Sequence, residues 1–211
     1  MATLRSRPLC PGCALPLPAC LCAWVRPVAN EVELIVLQHP QEQHQAKGTV
    51  RLLQRCLSRC QVLVGEQFDA ATLALLLGQG VALLYPMDDT ARGGASTGPV
   101  QRLLLLDATW RKSRKMLHLN PLLQTLPRLA LTELPPSGYA IRRAQRPEQR
   151  SSLEAAALAL QQLEQLGSSE GHVLPVLAKY QPLWEAFEGF VGQRQDWVVD
   201  RQGAPLKRVE P

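Results

Sequence analysis

The run Leu103-Leu104-Leu105-Leu106, followed by Asp107-Ala108-Thr109-Trp110, constrains the fold more than any other stretch of the chain. Four successive leucines are too few for a helix of their own and read as a strand buried on both faces, the pattern of a parallel sheet covered by helices. A carboxylate and a hydroxyl then follow at the strand's carboxyl end, where open α/β sheets hold their ligands. The next segment reads as a helix. On it Arg111, Arg114, Lys115 and His118 fall on one face, with Trp110, Ser113 and Leu117 on another. The stretch has two readings. Asp107 or Thr109 caps the helix by accepting a backbone N–H and the cations form a solvated face, or the acid and the basic stripe together serve a polyanionic substrate. Spacing alone leaves both open.

The surrounding pattern is β/α throughout. Residues 32–38 read as a strand ending at His39-Pro40, a helix is expected over about 48–59, and 61–65 form a second strand. A short apolar helix follows over 70–77, then a strand over 81–85 closed by Pro86. Gly93-Gly94-Ala95-Ser96-Thr97-Gly98-Pro99 is a turn-rich loop ahead of the leucine strand. Asn120-Pro121 ends the basic helix, and 129–132 suggest one more strand. Strands alternating with helices predict a mostly parallel sheet with helices on both faces. His39, alone after its strand, fits a satisfied structural residue better than a catalyst.

The 46% hydrophobic content suffices for a real core in 211 residues. No apolar run approaches a membrane span, and the first residues lack the apolar centre of a signal peptide, so a cytoplasmic protein is expected. A net charge of +5 favours an acidic partner.

Six cysteines in such a chain point to metal or free thiols. Cys10, Cys13, Cys20 and Cys22 form two close pairs separated by proline-rich turns. Tetrahedral zinc needs four converging thiolates, and a closed four-thiolate site is structural because no position remains for water or substrate. Iron–sulfur ligation has the same requirement on spacing. Cys56 and Cys60, four apart on the expected helix, read as core or half-buried thiols.

Toward the C-terminus, Ser137-Gly138-Tyr139-Ala140-Ile141-Arg142-Arg143, with Arg146 and Arg150 behind it, is a cationic loop carrying one aromatic. It suits phosphates and a stacked base, or it is a solvated loop. Ser151-Ser152-Leu153-Glu154 has capping-box spacing. A helix is expected from there to about Leu166, and another over 182–191. The expected organisation is an N-terminal zinc-binding segment (1–30), a catalytic domain (31–192) and a polar tail (193–211).

Taken in order, these strings resemble the DTW-domain proteins, the tRNA-uridine aminocarboxypropyltransferases. The resemblance rests on the four-cysteine cluster, Leu37-Gln38-His39-Pro40 with Glu42 beyond, Leu84-Tyr85-Pro86, and Asp107-Ala108-Thr109-Trp110. It continues through the Ser137–Arg143 loop and Ser152-Leu153-Glu154-Ala155, so it spans roughly residues 10–190. Ala108 stands where the family often has glycine and Ser152 where it often has threonine; both changes keep the carboxylate and hydroxyls.

The resemblance implies a SPOUT-type α/β fold whose C-terminal trefoil knot cradles S-adenosylmethionine. It implies transfer of the 3-amino-3-carboxypropyl group to N3 of an unpaired tRNA uridine, at position 47 of the variable loop, with release of 5′-methylthioadenosine. Asp107 would be the general base. Leu84, Tyr85, Pro86, Leu106, Asp107, Thr109, Ser137, Tyr139, Ile141, Ser152 and Glu154 would surround the donor. Arg111, Arg114, Lys115, Arg142 and Arg143 would hold RNA phosphates or the donor's carboxylate, Trp110 or Tyr139 would stack on a base or on adenine, with Trp110 fitting the core equally well, and the cysteines would bind structural zinc. The expected partner is tRNA, with no membrane and no obligate protein partner. Two rival readings fit the same residues. A SPOUT-like RNA methyltransferase would release S-adenosylhomocysteine, and a non-catalytic zinc-containing RNA-binding module would have no need of Asp107.

Overall fold

A computed structural model describes residues 8–45, 47–88, 91–96, 98–131, 150–167 and 173–195. Its strands are β1 (Glu33–Gln38), β2 (Cys60–Val64), β3 (Val81–Leu84), β4 (Arg102–Asp107) and β5 (Arg128–Leu129). All are parallel, in the order β2-β1-β4-β3-β5. The helices are α1 (Val50–Cys56), α2 (Ala70–Leu76), α3 (Trp110–Leu119), α4 (Pro121–Gln124), α5 (Ser152–Gly167) and α6 (Val173–Gln195).

The leucine run is the centre of this sheet. Its side chains alternate between two cores because successive strand residues point to opposite faces. Leu103 and Leu105 join Leu34, Val36, Ala82 and Leu84 under α1, α5 and α6. Leu104 and Leu106 join Ile35, Leu37, Val81 and Leu83 under α2, α3 and α4. Burial on both faces explains why β4 reads as an unbroken apolar run.

Chain direction then fixes where a crevice must open. After β1 the chain crosses to the α1 face, whereas after its neighbour β4 it crosses to the α3 face. Connections leaving adjacent strands in opposite directions part at the strands' carboxyl ends, and that gap is the usual ligand position in open parallel sheets. In the register of β1 with β4, the two residues facing this gap are Gln38 and Asp107.

Several element bounds differ from the sequence-based expectation. Cys60 opens β2 rather than continuing α1, because it pairs with Leu34 of β1. α6 begins at Val173, and Pro182 lies inside it rather than at its start. An interior proline costs about 3 kcal/mol. Here Val176, Tyr180, Leu183, Phe187, Phe190 and Val191 are buried along one stripe, and each such burial contributes about 1.5–3 kcal/mol, so packing prevails. The same helix runs through Gln195, into the stretch expected to be tail.

The final turns of α6 hold the cysteine segment. Gln193 accepts from Trp24 Nε1 (3.0 Å) and donates to the carbonyls of Pro18 and Cys20 (3.0 and 3.1 Å). A Cβ at Gly189 would collide with the Trp24 indole, so only glycine admits this approach. Cys10, Cys13 and Leu21 belong to the α5–α6 core. The path from β5 to α5, on which a trefoil knot depends, passes through residues 132–149 and lies outside the described residues.

Candidate active site

Asp107 ends β4 with only 8% of its surface exposed. Its Oδ2 accepts a hydrogen bond from Gln38 Nε2 (2.8 Å), the residue opposite it on β1. Its Oδ1 accepts from Ser152 Oγ at the start of α5. Neither oxygen receives an N–H of α3. That helix has Thr109 at its cap position without a side-chain bond, so the capping reading of Asp107 is incorrect. The carboxylate's partners among the described residues are neutral donors. Burying an acid this way is costly unless its hydrogen bonds are made, and here each oxygen has one.

Ser152 is fixed from below. Ser151 and Glu154 form a reciprocal capping box: Ser151 N donates to Glu154 Oε2 (2.8 Å) while Glu154 N donates to Ser151 Oγ (3.2 Å). The expected spacing is thus realised. Leu153 N donates to Thr49 Oγ1 (3.1 Å), tying the same turn to the start of α1. A strand of the sheet and a helix packed on one of its faces therefore aim two side chains at one carboxylate.

Beside Asp107, β3 leads into Tyr85. Its ring is buried and its hydroxyl pairs with Ser113 Oγ of α3 (3.1 Å). Burial pushes the Tyr85 hydroxyl above its ordinary range. Trp110 stacks on this ring with centroids 5.2 Å apart and planes 9° from parallel, while remaining 53% exposed. The Arg128 guanidinium lies 5.0 Å from the Tyr85 centroid and donates to Pro86 O and Asp88 Oδ1 (2.7 and 2.8 Å). Trp110 is therefore a surface aromatic backed by a fixed tyrosine, not a core residue. Leu84 and Leu106 are buried at the strand ends, and Pro86 is exposed.

On the α3 side an open groove of about 750 Å³ is lined by Thr109, Arg111, Lys112 and Lys115, and across from them by His39, Gln41 and Glu66. Lys112 Nζ bonds buried Glu42 (2.8 Å). Glu66 is shared, with Oε2 on Lys115 (2.9 Å) and Oε1 against His39 Nε2 (3.2 Å). Lys115 and then His39 hold its carboxyl below the usual carboxylate range. His39 Nδ1 also accepts from Gln41 N (3.2 Å). Arg114 and His118 are exposed and do not line the groove.

Sequence reasoning gave Gln38 and Lys112 no role. Gln38 carried a signal, since it is a polar residue ending a strand otherwise buried and apolar. Lys112 carried none until Glu42 was found beneath it. Ser137, Tyr139, Ile141, Arg142 and Arg143 lie outside the described residues.

The four N-terminal thiols converge. All Sγ atoms lie within 4.8 Å of one another, with Cys10–Cys22 and Cys13–Cys20 at 3.8 Å and Cys10–Cys20 at 3.3 Å. Ligands about 2.3 Å from a tetrahedral zinc are spaced about 3.8 Å apart, so the donor set fits that ion. The Cys13 amide is the main influence holding the Cys10 thiol down to about 6. By contrast, burial raises Cys56 and pushes Cys60 up to about 12, leaving both inert. Among the described residues no helix is long and apolar enough to cross a membrane.

No solved structure matches the chain. The protein named tRNA-uridine aminocarboxypropyltransferase 2 of Mus musculus is 32% identical over 176 residues, covering 75% of this chain and 57% of its own length. The like-named protein of Macaca fascicularis is 30% identical over 172 residues, covering 76% and 58%. That of Drosophila melanogaster is 30% identical over 187 residues, covering 82% and 74%. The chain thus spans less than two thirds of the two mammalian relatives. The DTW domain matches residues 7–195, and the chain belongs to the DTW-domain family.

Proposed function

We propose that this chain is a tRNA-modifying transferase that moves the 3-amino-3-carboxypropyl group of S-adenosylmethionine to N3 of an unpaired uridine. The observation that carries this reading is the buried Asp107 carboxylate at the sheet's crevice, held by Gln38 and Ser152. It is joined by the names of the relatives. Phosphate binding alone gains nothing from a carboxylate kept out of water, which disfavours a purely RNA-binding module.

The donor's sulfonium makes its neighbouring carbons electrophilic. Uridine N3 carries a weakly acidic proton and is a poor nucleophile until that proton leaves. Asp107 takes the N3 proton as the N3–Cγ bond forms and the C–S bond breaks, the electron pair remaining on sulfur in 5′-methylthioadenosine. Gln38 and Ser152 keep the carboxylate oriented, and alignment of the reactants supplies much of the acceleration. N3 lies on the base's pairing edge, so the uridine must be unpaired or turned out; position 47 in the variable loop meets that requirement. Leu84, Tyr85, Pro86, Leu106, Thr109, Ser152 and Glu154, with Ser137, Tyr139 and Ile141, form the donor's surroundings in this reading. Arg111, Arg114, Lys115, Arg142 and Arg143 face the RNA. A SPOUT-type knot, structural zinc on the four cysteines, action without an obligate protein partner and a cytoplasmic location belong to the same proposal.

The test is mass spectrometry of nucleosides and small molecules after incubation with S-adenosylmethionine and unmodified tRNA. Aminocarboxypropyl-uridine with methylthioadenosine is expected, and Asp107→Asn should abolish both while retaining donor binding. A methylated nucleoside with S-adenosylhomocysteine would overturn the transfer chemistry.

A further inference from the structure

Resting on that reading, we propose that the groove between α3 and the His39–Glu66 wall seats a backbone phosphodiester of the RNA, with Lys112 as its positioning cation. The groove's character selects the ligand class. Its lining is polar and charged throughout, it is open along one side, and its volume of about 750 Å³ is ample for a nucleotide. Two turns of α3 bring three cations to one wall. Arg111 is exposed and has no anionic partner among the described residues. Lys112 is held at 2.8 Å by Glu42, which is itself buried. An ammonium has three donors, so this contact fixes Lys112 while leaving donors for a ligand.

The opposite wall behaves as an occupied counter-ion position. Glu66 divides its two oxygens between His39 and Lys115. An arriving phosphate can take Lys115 from an exposed ion pair that is itself worth little. Both walls are joined directly to the reactive centre. Thr109 lines the groove two residues beyond Asp107, and His39 N donates to the Asp107 carbonyl (3.0 Å). A strand seated here presents its bases toward the end of β4. The stripe legible in the sequence is thereby divided: Arg111 and Lys115 face the groove with Lys112, whereas Arg114 and His118 do not line it.

The experiment uses the full chain with intact tRNA and compares Arg111→Ala/Lys115→Ala, Lys112→Ala and Lys112→Arg, with Arg26→Ala as a control elsewhere that matches the charge of Lys112→Ala. The double variant should raise KM for tRNA roughly tenfold at saturating donor with kcat within about twofold, the pattern of lost uniform binding. It should also flatten the slope of log affinity against log salt by roughly 1.5, as for two lost phosphate contacts. Lys112→Ala should weaken tRNA similarly and Lys112→Arg should restore most of the affinity. A double variant no weaker than Arg26→Ala overturns the proposal. So does a loss confined to S-adenosylmethionine affinity, which would assign the groove to the donor's carboxylate. If Lys112→Ala fails to fold, the double variant, both of whose positions are exposed, decides alone. If the unaltered protein forms no product, the transfer reading fails separately, and tRNA binding by fluorescence anisotropy judges the groove on the same comparison.

Discussion

Glu164 is the site where a single substitution should cost the fold most clearly. Its side chain is 2% exposed, on the fourth turn of the helix that brings Ser152 to Asp107. Oε1 accepts from Glu31 N (2.6 Å), Val32 N (3.2 Å) and the Tyr180 hydroxyl (2.8 Å), and Oε2 from Lys179 Nζ (2.7 Å). One carboxylate thus joins the entry to β1, α5 and α6. Glu164→Ala strands an ammonium whose other partner among the described residues, Glu31, is 82% exposed, together with the Glu31 amide and the buried Val32 amide and Tyr180 hydroxyl. Removing one member of a buried ion pair costs about 3–5 kcal/mol, against a total stability of about 5–15 kcal/mol for a domain. At about 2–4 °C per kcal/mol for this chain length, the melting temperature should fall by about 10 °C. Tyr180→Phe removes one hydrogen bond worth about 1 kcal/mol and should cost only a few degrees; burial raises the Tyr180 hydroxyl, so it remains a donor throughout the neutral range. Calorimetric or circular-dichroism melts at neutral pH provide the readout. An alanine variant melting within about 2 °C of the parent, or a phenylalanine variant as damaging as it, would show that the carboxylate is not the junction described.

Ser152→Ala should lower kcat about tenfold by freeing the Asp107 carboxylate, since hydrogen bonds to charged groups contribute about 1.5–3 kcal/mol; Ser152→Thr keeps the hydroxyl and should keep most turnover, and full activity in the alanine variant would exclude an orienting role. Stripping metal with a strong chelator should lower the melting temperature and expose residues 8–25 to protease, because structural zinc contributes folding free energy directly; an unchanged melt and digest would separate the cysteines from metal. Glu66 supplies a pH signature. Its carboxyl is lowered from 4.5 by Lys115 and then His39, so its stabilisation is complete above about that value and is lost as pH falls through its lower folded-state pKa. The melting temperature of the parent should therefore drop relative to Glu66→Gln below about pH 4.5, and parallel profiles would contradict the pairing.

Local patterns were legible wherever one segment determines the outcome. The leucine run specified a doubly covered strand, Ser151 and Glu154 specified a capping box, and the cysteine spacing specified a converging thiol set. What escaped the reading was set by distant partners. Gln38 gains its role only from the register that places it opposite Asp107, and Lys112 only from a buried acid 70 residues earlier. Local cap chemistry suggested the wrong employment for Asp107, because donors from β1 and α5 claim its oxygens first. Pro182 misplaced the start of α6 for the same reason: a local breaker was weighed without the buried stripe on either side of it.

The stacked pair at the mouth of the crevice also makes the protein its own optical probe. Trp110 is more than half exposed, whereas Trp24 and Trp184 are only partly so, which makes it the indole that an aqueous quencher meets first among the described residues. Its nearly parallel stacking on Tyr85 at 5.2 Å should give that tyrosine efficient energy transfer to a single acceptor and a shared near-ultraviolet dichroic band. Arg111 beside it should make iodide a stronger quencher than neutral acrylamide at equal concentration. A ligand that covers this indole will dim or shift that signal, so occupancy of the crevice can be followed continuously in the unlabelled chain.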